Sequence, residues 1–225
     1  MMLSIRQATA ADVSFLAHIV YEASLPPENH SFWDDLLQGS STEAEDFIAA
    51  MLTTRATYWS QIEDFMVVER ERQPVAAASI YAATEEDYRP VCLDQMNQVA
   101  QVLGWSRQTK TEFCDRYLQF LGEDPKPLFF KPQAPWIIEY VAVIAEARGQ
   151  GVGKFLLQSL LNQARQKDQH HIGIMVINGN DRAYKAYQSA GFKPYETLYA
   201  DYFTNNFGIE FPGFTKFGQI LSPVA

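Results

Sequence analysis

The sequence predicts an α/β protein of the α+β kind, with a mixed, mostly antiparallel central sheet and helices on both faces. Three observations carry this. Residues 136–177 read as strand, glycine turn, helix and strand, and a helical crossover returns the chain parallel to the strand it left. Residues 65–69 and 75–83 are two short β-rich runs parted by Arg72-Gln73-Pro74, which reads as an antiparallel hairpin. Two more strand patterns, 192–200 and 214–221, come late in the chain.

Each element has its own signal. Residues 4–8 read as a first strand. Thr9 and Asp12 have capping-box spacing, with Asp in place of the usual Glu or Gln. Val13, Leu16, Ala17 and Val20 then share one helical face, and Pro26-Pro27 ends that helix. Two short helices follow. One carries Phe32, Trp33, Leu36 and Leu37. The other is expected to start at Thr42, boxed by Glu45, and carries Phe47, Ile48, Met51 and Leu52.

After the hairpin the pattern changes. Residues 84–135 read as a helical insertion packed on the main sheet and too short for an independent domain, so residues 1–225 form one domain. Asp94 is the expected cap of its first helix, with Met96, Val99, Ala100 and Leu103 on one face. Ser106 caps the second, with Phe113, Tyr117, Phe120 and Leu121 on one face. Asp124-Pro125-Lys126-Pro127 closes the insertion, and Pro132 and Pro135 lead into the next strand.

Residues 136–144 are apolar except for Glu139. The helix from Val152 to about Lys167 shows two apolar rows, Val152-Leu156-Leu160 and Leu157-Leu161-Ala164. Residues 171–177 form a buried strand, Asn178-Gly179-Asn180 a turn, and residues 181–190 a helix ended by Gly191. An irregular aromatic stretch joins the last two strands.

Composition bounds the function. Of 225 residues 47% are hydrophobic, enough for a packed core. The 18 basic and 27 acidic residues give a net charge of −9, which argues against a general nucleic-acid binder and says little against a small anionic ligand. Cys92 and Cys114 fit free thiols in a reducing compartment. No apolar run approaches a membrane span, and the first residues lack signal-peptide architecture, so a soluble cytoplasmic protein without a membrane partner is expected.

The chemistry concentrates in Arg148-Gly149-Gln150-Gly151-Val152-Gly153-Lys154, between a strand and a helix. Free main-chain N–H groups at a helix N-terminus hold phosphate groups. Two familiar phosphate loops fail here. A Walker A loop needs Gly where Arg148 stands and Ser or Thr where Phe155 stands, and G-x-G-x-x-G breaks after Gly153. What fits is Arg/Gln-x-x-Gly-x-Gly, on Arg148, Gly151 and Gly153. Downstream, Asn180, Ala183, Tyr187, Gly191 and Phe192 match N-x-x-A-x-x-x-Y-x-x-x-G-F. Upstream stands Tyr140-Val141-Ala142-Val143, and the chain opens with Ile5-Arg6-Gln7-Ala8-Thr9 and Asp12.

These segments resemble, in order, the signatures of the GNAT superfamily of acyl-CoA-dependent N-acyltransferases. The resemblance implies a splayed parallel strand pair at the acyl-CoA site, and acetyl-CoA as co-substrate with no metal. It implies that the main chain from Gly149 through Gln150, Gly151, Val152 and Gly153 to Lys154 faces the coenzyme A pyrophosphate, with charge from Arg148 and Lys154. Val141, Ala142 and Val143 then offer main-chain groups to the pantetheine arm, one N–H polarising the acyl carbonyl. Tyr187 is implied as the acid that protonates the departing thiolate and as a cofactor contact, with Tyr184 a weaker alternative. Asn180 caps its helix and, by resemblance, touches the cofactor.

Glu139 is the candidate general base, placed by simple alternation on the same side as Val141 and Val143. A salt-bridge role for it stays open, as does a water chain in its place. His18, His30, His170 and His171 show no metal-ligand spacing. Tyr195, Tyr199, Tyr202, Phe203, Phe207 and Phe211 pack the core or line an acceptor pocket. The implied activity is N-acetylation of a primary amine, on a small molecule or peptide, by direct attack. The alternative is a non-catalytic acyl-CoA sensor or scaffold on the same fold. The insertion serves as a pocket wall, a lid or a dimer surface, so a homodimer stays open.

Overall fold

The computed structural model describes residues 2–25, 27–83, 89–122, 131–132, 134–208 and 210–222. Pro26, the 124–127 closure and the side chain of Phe120 lie outside them. Seven strands form one sheet: β1 (Leu3–Gln7), β2 (Phe65–Arg70), β3 (Gln73–Ala82), β4 (Trp136–Val143), β5 (His171–Ile177), β6 (Lys193–Tyr199) and β7 (Gly213–Ile220). Their order is β1-β2-β3-β4-β5-β7-β6. Every neighbouring pair is antiparallel except β4 and β5.

Helices cover both faces. On one lie α1 (Val13–Ser24), α2 (Phe32–Leu36), α3 (Ala44–Thr54), α4 (Met96–Leu103), α5 (Arg107–Leu121) and α8 (Ala200–Phe207). On the other lie α6 (Val152–Gln166) and α7 (Asp181–Ser189). Both apolar rows of α6 are buried as the periodicity predicts. Residues 9–12 form the expected capping box, the Thr9 N–H donating to Asp12 Oδ2 at 2.8 Å. Arg6 reaches both oxygens of Asp12, and this holds the Asp12 carboxyl down at about 2. No described helix is long and apolar enough to cross a membrane.

Several local expectations are corrected. The β2–β3 turn is Glu71-Arg72, at φ 54° and 65°, so Gln73 and Pro74 already belong to β3. A two-residue turn with positive φ at both positions matches the twist of a hairpin even without glycine. Thr42 does not cap α3. Its hydroxyl accepts the Trp105 Nε1–H at 2.8 Å, Glu43 stands at the N-cap, and Glu45 meets His18 at 2.9 Å. Asp94 lies inside a short turn before α4 rather than capping it. Ser106 does cap α5, accepting the Thr109 N–H at 3.0 Å.

The insertion helices pack on other helices rather than on the sheet. Phe47 of α3 stacks on Trp105 at 5.7 Å and meets Phe113 of α5 at 4.8 Å, and Trp33 of α2 stands 5.9 Å away. Tyr117 of α5 receives the Val91 N–H at 2.9 Å, which ties the incoming chain to the same cluster. The aromatic stretch before β7 is not irregular throughout: it contains α8, whose Phe203 is buried against Phe211 and Phe214.

The β5 end nearest the cleft is held by Asn178. Its Nδ2 donates to Leu198 O and Pro212 O at 2.9 and 3.0 Å, and its Oδ1 accepts from Thr215. This closeness requires glycine at 213, where φ is +90° and an added Cβ would lie 2.0 Å from Leu198 O. Gly213→Ala is therefore expected to destabilise the fold by at least ~2 kcal/mol, read as a lower urea midpoint. An unchanged midpoint would refute this account of the corner.

Candidate active site

The glycine turn builds the first part of the site. After β4 the chain makes one short turn and enters α6 through Gly149 and Gly151, at φ +76° and +80°. Side-chain-bearing residues rarely adopt that conformation, and glycine leaves the backbone open to a ligand. Gly151 is the N-cap, so the N–H groups of Val152, Gly153 and Lys154 have no intrahelical acceptor. Among the described residues, the N–H groups of Gly149, Gln150 and Gly151 donate to no other main-chain carbonyl.

The flanking cations differ. Arg148 Nε donates to Val143 O at 2.9 Å and its guanidinium pairs with Glu22 of α1, so it clasps the strand end although it remains exposed. Lys154 is exposed at the same opening. Gln150 turns its side chain away, donating to Glu146 O at 2.8 Å and accepting from Arg70, and does not line the cleft. Free N–H groups, the positive end of a helix and nearby cations are a donor set that fits a phosphate-bearing ligand.

The second part is a gap in the sheet. β4 and β5 pair only over Trp136–Ile138 and Ile172–Ile174, then separate. On the other edge of β4, Ala142 pairs with Ala77 and Glu139 with Ser79, so three steps on β4 match two on β3. Tyr140, at φ +54°, carries this bulge, and neither Tyr140 nor Val141 has a ladder partner. A bulge inserts one residue and reverses the alternation beyond it. Glu139 therefore shares a face with Ala142 and Ala77, opposite Val141 and Val143, which corrects the placement that simple alternation predicts.

A cavity of about 770 Å³ runs from the glycine turn through this gap to the aromatic face. Gly151 and Lys154 line it at the turn, Val141, Ile174 and Tyr187 at the gap, and Glu139 and Phe211 beyond. Asn180 caps α7, accepting the Ala183 N–H at 3.1 Å, and also lines the cavity. Tyr184 does not line it: its ring packs edge-on against Phe217 at 5.0 Å.

Burial sets the electrostatics. Glu139 is pushed up to about 7 by loss of hydration, and it forms no ion pair with a described residue. Tyr187 is buried and held edge-on to Phe217 at 5.9 Å. Burial, and then the Glu139 charge, push its phenol well above the ordinary value. The Tyr187 phenol therefore senses the Glu139 charge across the gap.

The remaining candidates divide. Phe203 and Phe211 line the cavity. Tyr195 and Tyr199 do not, being 55% and 66% exposed, while Tyr202 and Phe207 pack around α8. Leu121, Pro90 and Pro132 bring the insertion to the cavity wall. Arg182 and Phe214 also line it. Sequence reasoning missed both, although Arg182 stands within the Asn180–Phe192 motif. Cys92 and Cys114 are free thiols away from the cavity, and no group of His, Cys, Asp or Glu among the described residues is arranged to hold a metal.

Comparison with known proteins agrees with this geometry. Residues 30–192 match the model of the Acetyltransferase (GNAT) family. No curated protein sequence gives a significant match. Among solved structures, an N-acetyltransferase from Staphylococcus aureus Mu50 superposes with a TM-score of 0.60 at 18% identity, covering 96% of this chain and 99% of its own. The yncA protein of Salmonella typhimurium, solved with its cofactor acetyl-CoA, gives 0.55 at 15% identity, covering 100% and 97%. A ribosomal-protein-alanine N-acetyltransferase from Brucella melitensis gives 0.54 at 19% identity, covering 97% and 99%. At these identities the likeness is one of fold.

Proposed function

This chain belongs to the GNAT family of acetyltransferases, and we propose that it moves an acetyl group from acetyl-CoA to a primary amine by direct attack. The observation that carries the reading is the single cavity joining the glycine turn, the β4–β5 gap, Glu139 and Tyr187. Bound acetyl-CoA supplies an activated acyl group as a thioester.

The chain's own groups do the rest. The N–H groups from Gly149 to Lys154 and the α6 dipole hold the diphosphate, with Lys154 adding charge. Asn180 and Arg182 bound the same opening. Val141, Ala142 and Val143 present main-chain groups along the gap. The bulge frees the Val141 N–H from the ladder, and that donor stabilises negative charge as it develops on the thioester oxygen. Glu139 takes a proton from the incoming ammonium. The amine lone pair forms the C–N bond and the C–S bond breaks; Tyr187 delivers its proton to the departing sulfur, and the second proton shed by the acylated nitrogen returns the phenol to its neutral form.

Glu139 stands on the face opposite the glycine turn. Donor and acceptor therefore approach the gap from opposite sides of the sheet, and the corrected placement suits a base better than the alternating one. Incubating the protein with acetyl-CoA and a panel of primary amines should release free thiol in proportion to N-acetylated product. Tight acetyl-CoA binding with no turnover on any amine would instead favour the sensor reading.

A further inference from the structure

The charges around the cavity are segregated by element. Its cations, Arg148, Lys154 and Arg182, lie on the glycine turn and the first turn of α7. On the aromatic face the connection between α1 and α2 contributes Glu28, α2 contributes Asp35, and the connection between α8 and β7 contributes Glu210, while Glu22 of α1 is taken up by Arg148. The flanking Phe32, Phe211 and Phe214 pack in the cluster on that face, the one Glu139 shares. Asp35 is matched by His30 at 3.0 Å. Glu28 and Glu210 form no ion pair with a described residue. The lining that Glu139 shares with these rim carboxylates includes the apolar side chains of Phe203, Phe211 and Pro212.

An excess of acidic residues along the chain does not explain this division, because the lysine and arginines that line the cavity stand elsewhere and His30 on the aromatic face is engaged by Asp35. A carboxylate at the gap, an aromatic wall and unpaired carboxylates at the rim match an amine that carries a second positive charge beyond an apolar spacer. Aromatic faces also attract such a cation. We propose that the acceptor is a small diamine or polyamine: one amino group enters the gap beside Glu139 and accepts the acetyl group, while a second, still protonated, is held by Glu28 and Glu210. The second group is not consumed. This rests on the transfer reading above.

The test uses three amines of one chain length: putrescine, butylamine and γ-aminobutyrate, which end in an ammonium, a methyl and a carboxylate. With acetyl-CoA and the full chain, kcat/KM for putrescine should exceed that for butylamine at least tenfold, with γ-aminobutyrate the poorest. The double variant Glu28→Gln/Glu210→Gln should bring the putrescine-to-butylamine ratio near one. Butylamine or γ-aminobutyrate equal to putrescine, or an unchanged ratio in the variant, overturns the proposal. Calorimetric titration of putrescine into the coenzyme A complex separates the two readings. Putrescine binding that the variant loses, with no turnover on any amine, sinks the transfer reading and keeps the cation site. Neither binding nor turnover sinks both.

Discussion

Tyr187→Phe is expected to lower the rate of acetyl transfer by roughly 10²–10⁴-fold, the range for losing a positioned acid, while the Kd for acetyl-CoA stays within about twofold. The substitution removes one oxygen and keeps the ring. The edge-on contact with Phe217 at 5.9 Å and the packing against Phe192 therefore survive, and the cleft keeps its shape. Burial raises the phenol above its ordinary value, so it stays protonated across the working range, as the proposed acid must. Its removal should act on kcat and kcat/KM together, as for an interaction made only in the transition state. Single-turnover kinetics with calorimetry of acetyl-CoA binding checks this. An unchanged single-turnover rate would show that the leaving sulfur takes its proton elsewhere.

Glu139→Gln should have an effect of similar size and a distinctive pH signature. Burial raises the carboxyl from about 4.5 to about 7. Wild-type kcat/KM should therefore climb through pH 7 as the base ionises, and the Gln variant should lose that limb along with roughly 10²–10⁴-fold of rate at pH 8. Stability should move the other way. Between the unfolded value near 4.5 and the folded value near 7, the folded state holds a proton that the unfolded state has released. Wild-type stability therefore falls as pH rises through that window and stays lowered above it. The neutral Gln has no such term, so the variant should be the more stable at pH 8, by on the order of 2 kcal/mol after allowance for solvent reaching the cavity. Thermal unfolding of both proteins at pH 5 and pH 8 measures this. Equal pH dependence in the two would mean that Glu139 is well solvated and unsuited to the role of base.

What could be read from the sequence was whatever short-range energetics decide. The two rows of α6 are apolar because that helix buries them, and all six residues are buried. The strand over 171–177 appears at its expected bounds because a run of β-branched and apolar residues between turns has few other solutions. The glycine turn was legible for a local reason too: residues at positive φ before a helix N-terminus favour glycine, and Gly149 and Gly151 mark the place. The capping residues Thr9, Ser106 and Asn180 are visible because a side-chain oxygen and an N–H two or three residues on suffice to make a cap.

What was hidden depends on partners far along the chain. Tyr140 has no local signal for φ +54°; the register of β4 on β3 imposes it, and with it the face on which Glu139 lies. Thr42 looks like a cap until Trp105, 63 residues away, takes its hydroxyl. Glu71 and Arg72 turn the chain without glycine because the hairpin they close holds them there. The insertion lies on α2 and α3 because Trp33, Phe47 and Phe113 find one another, which no periodicity foretells. The sequence by itself determined the glycine turn, the family and the chemical types of the candidate acid and base, since these rest on neighbours in the chain. Only the tertiary structure decided which face Glu139 occupies, how β4 and β5 part, and which carboxylates line the cavity opposite the turn. Those follow from strand register and from packing between elements, whose energies exist only once distant segments meet.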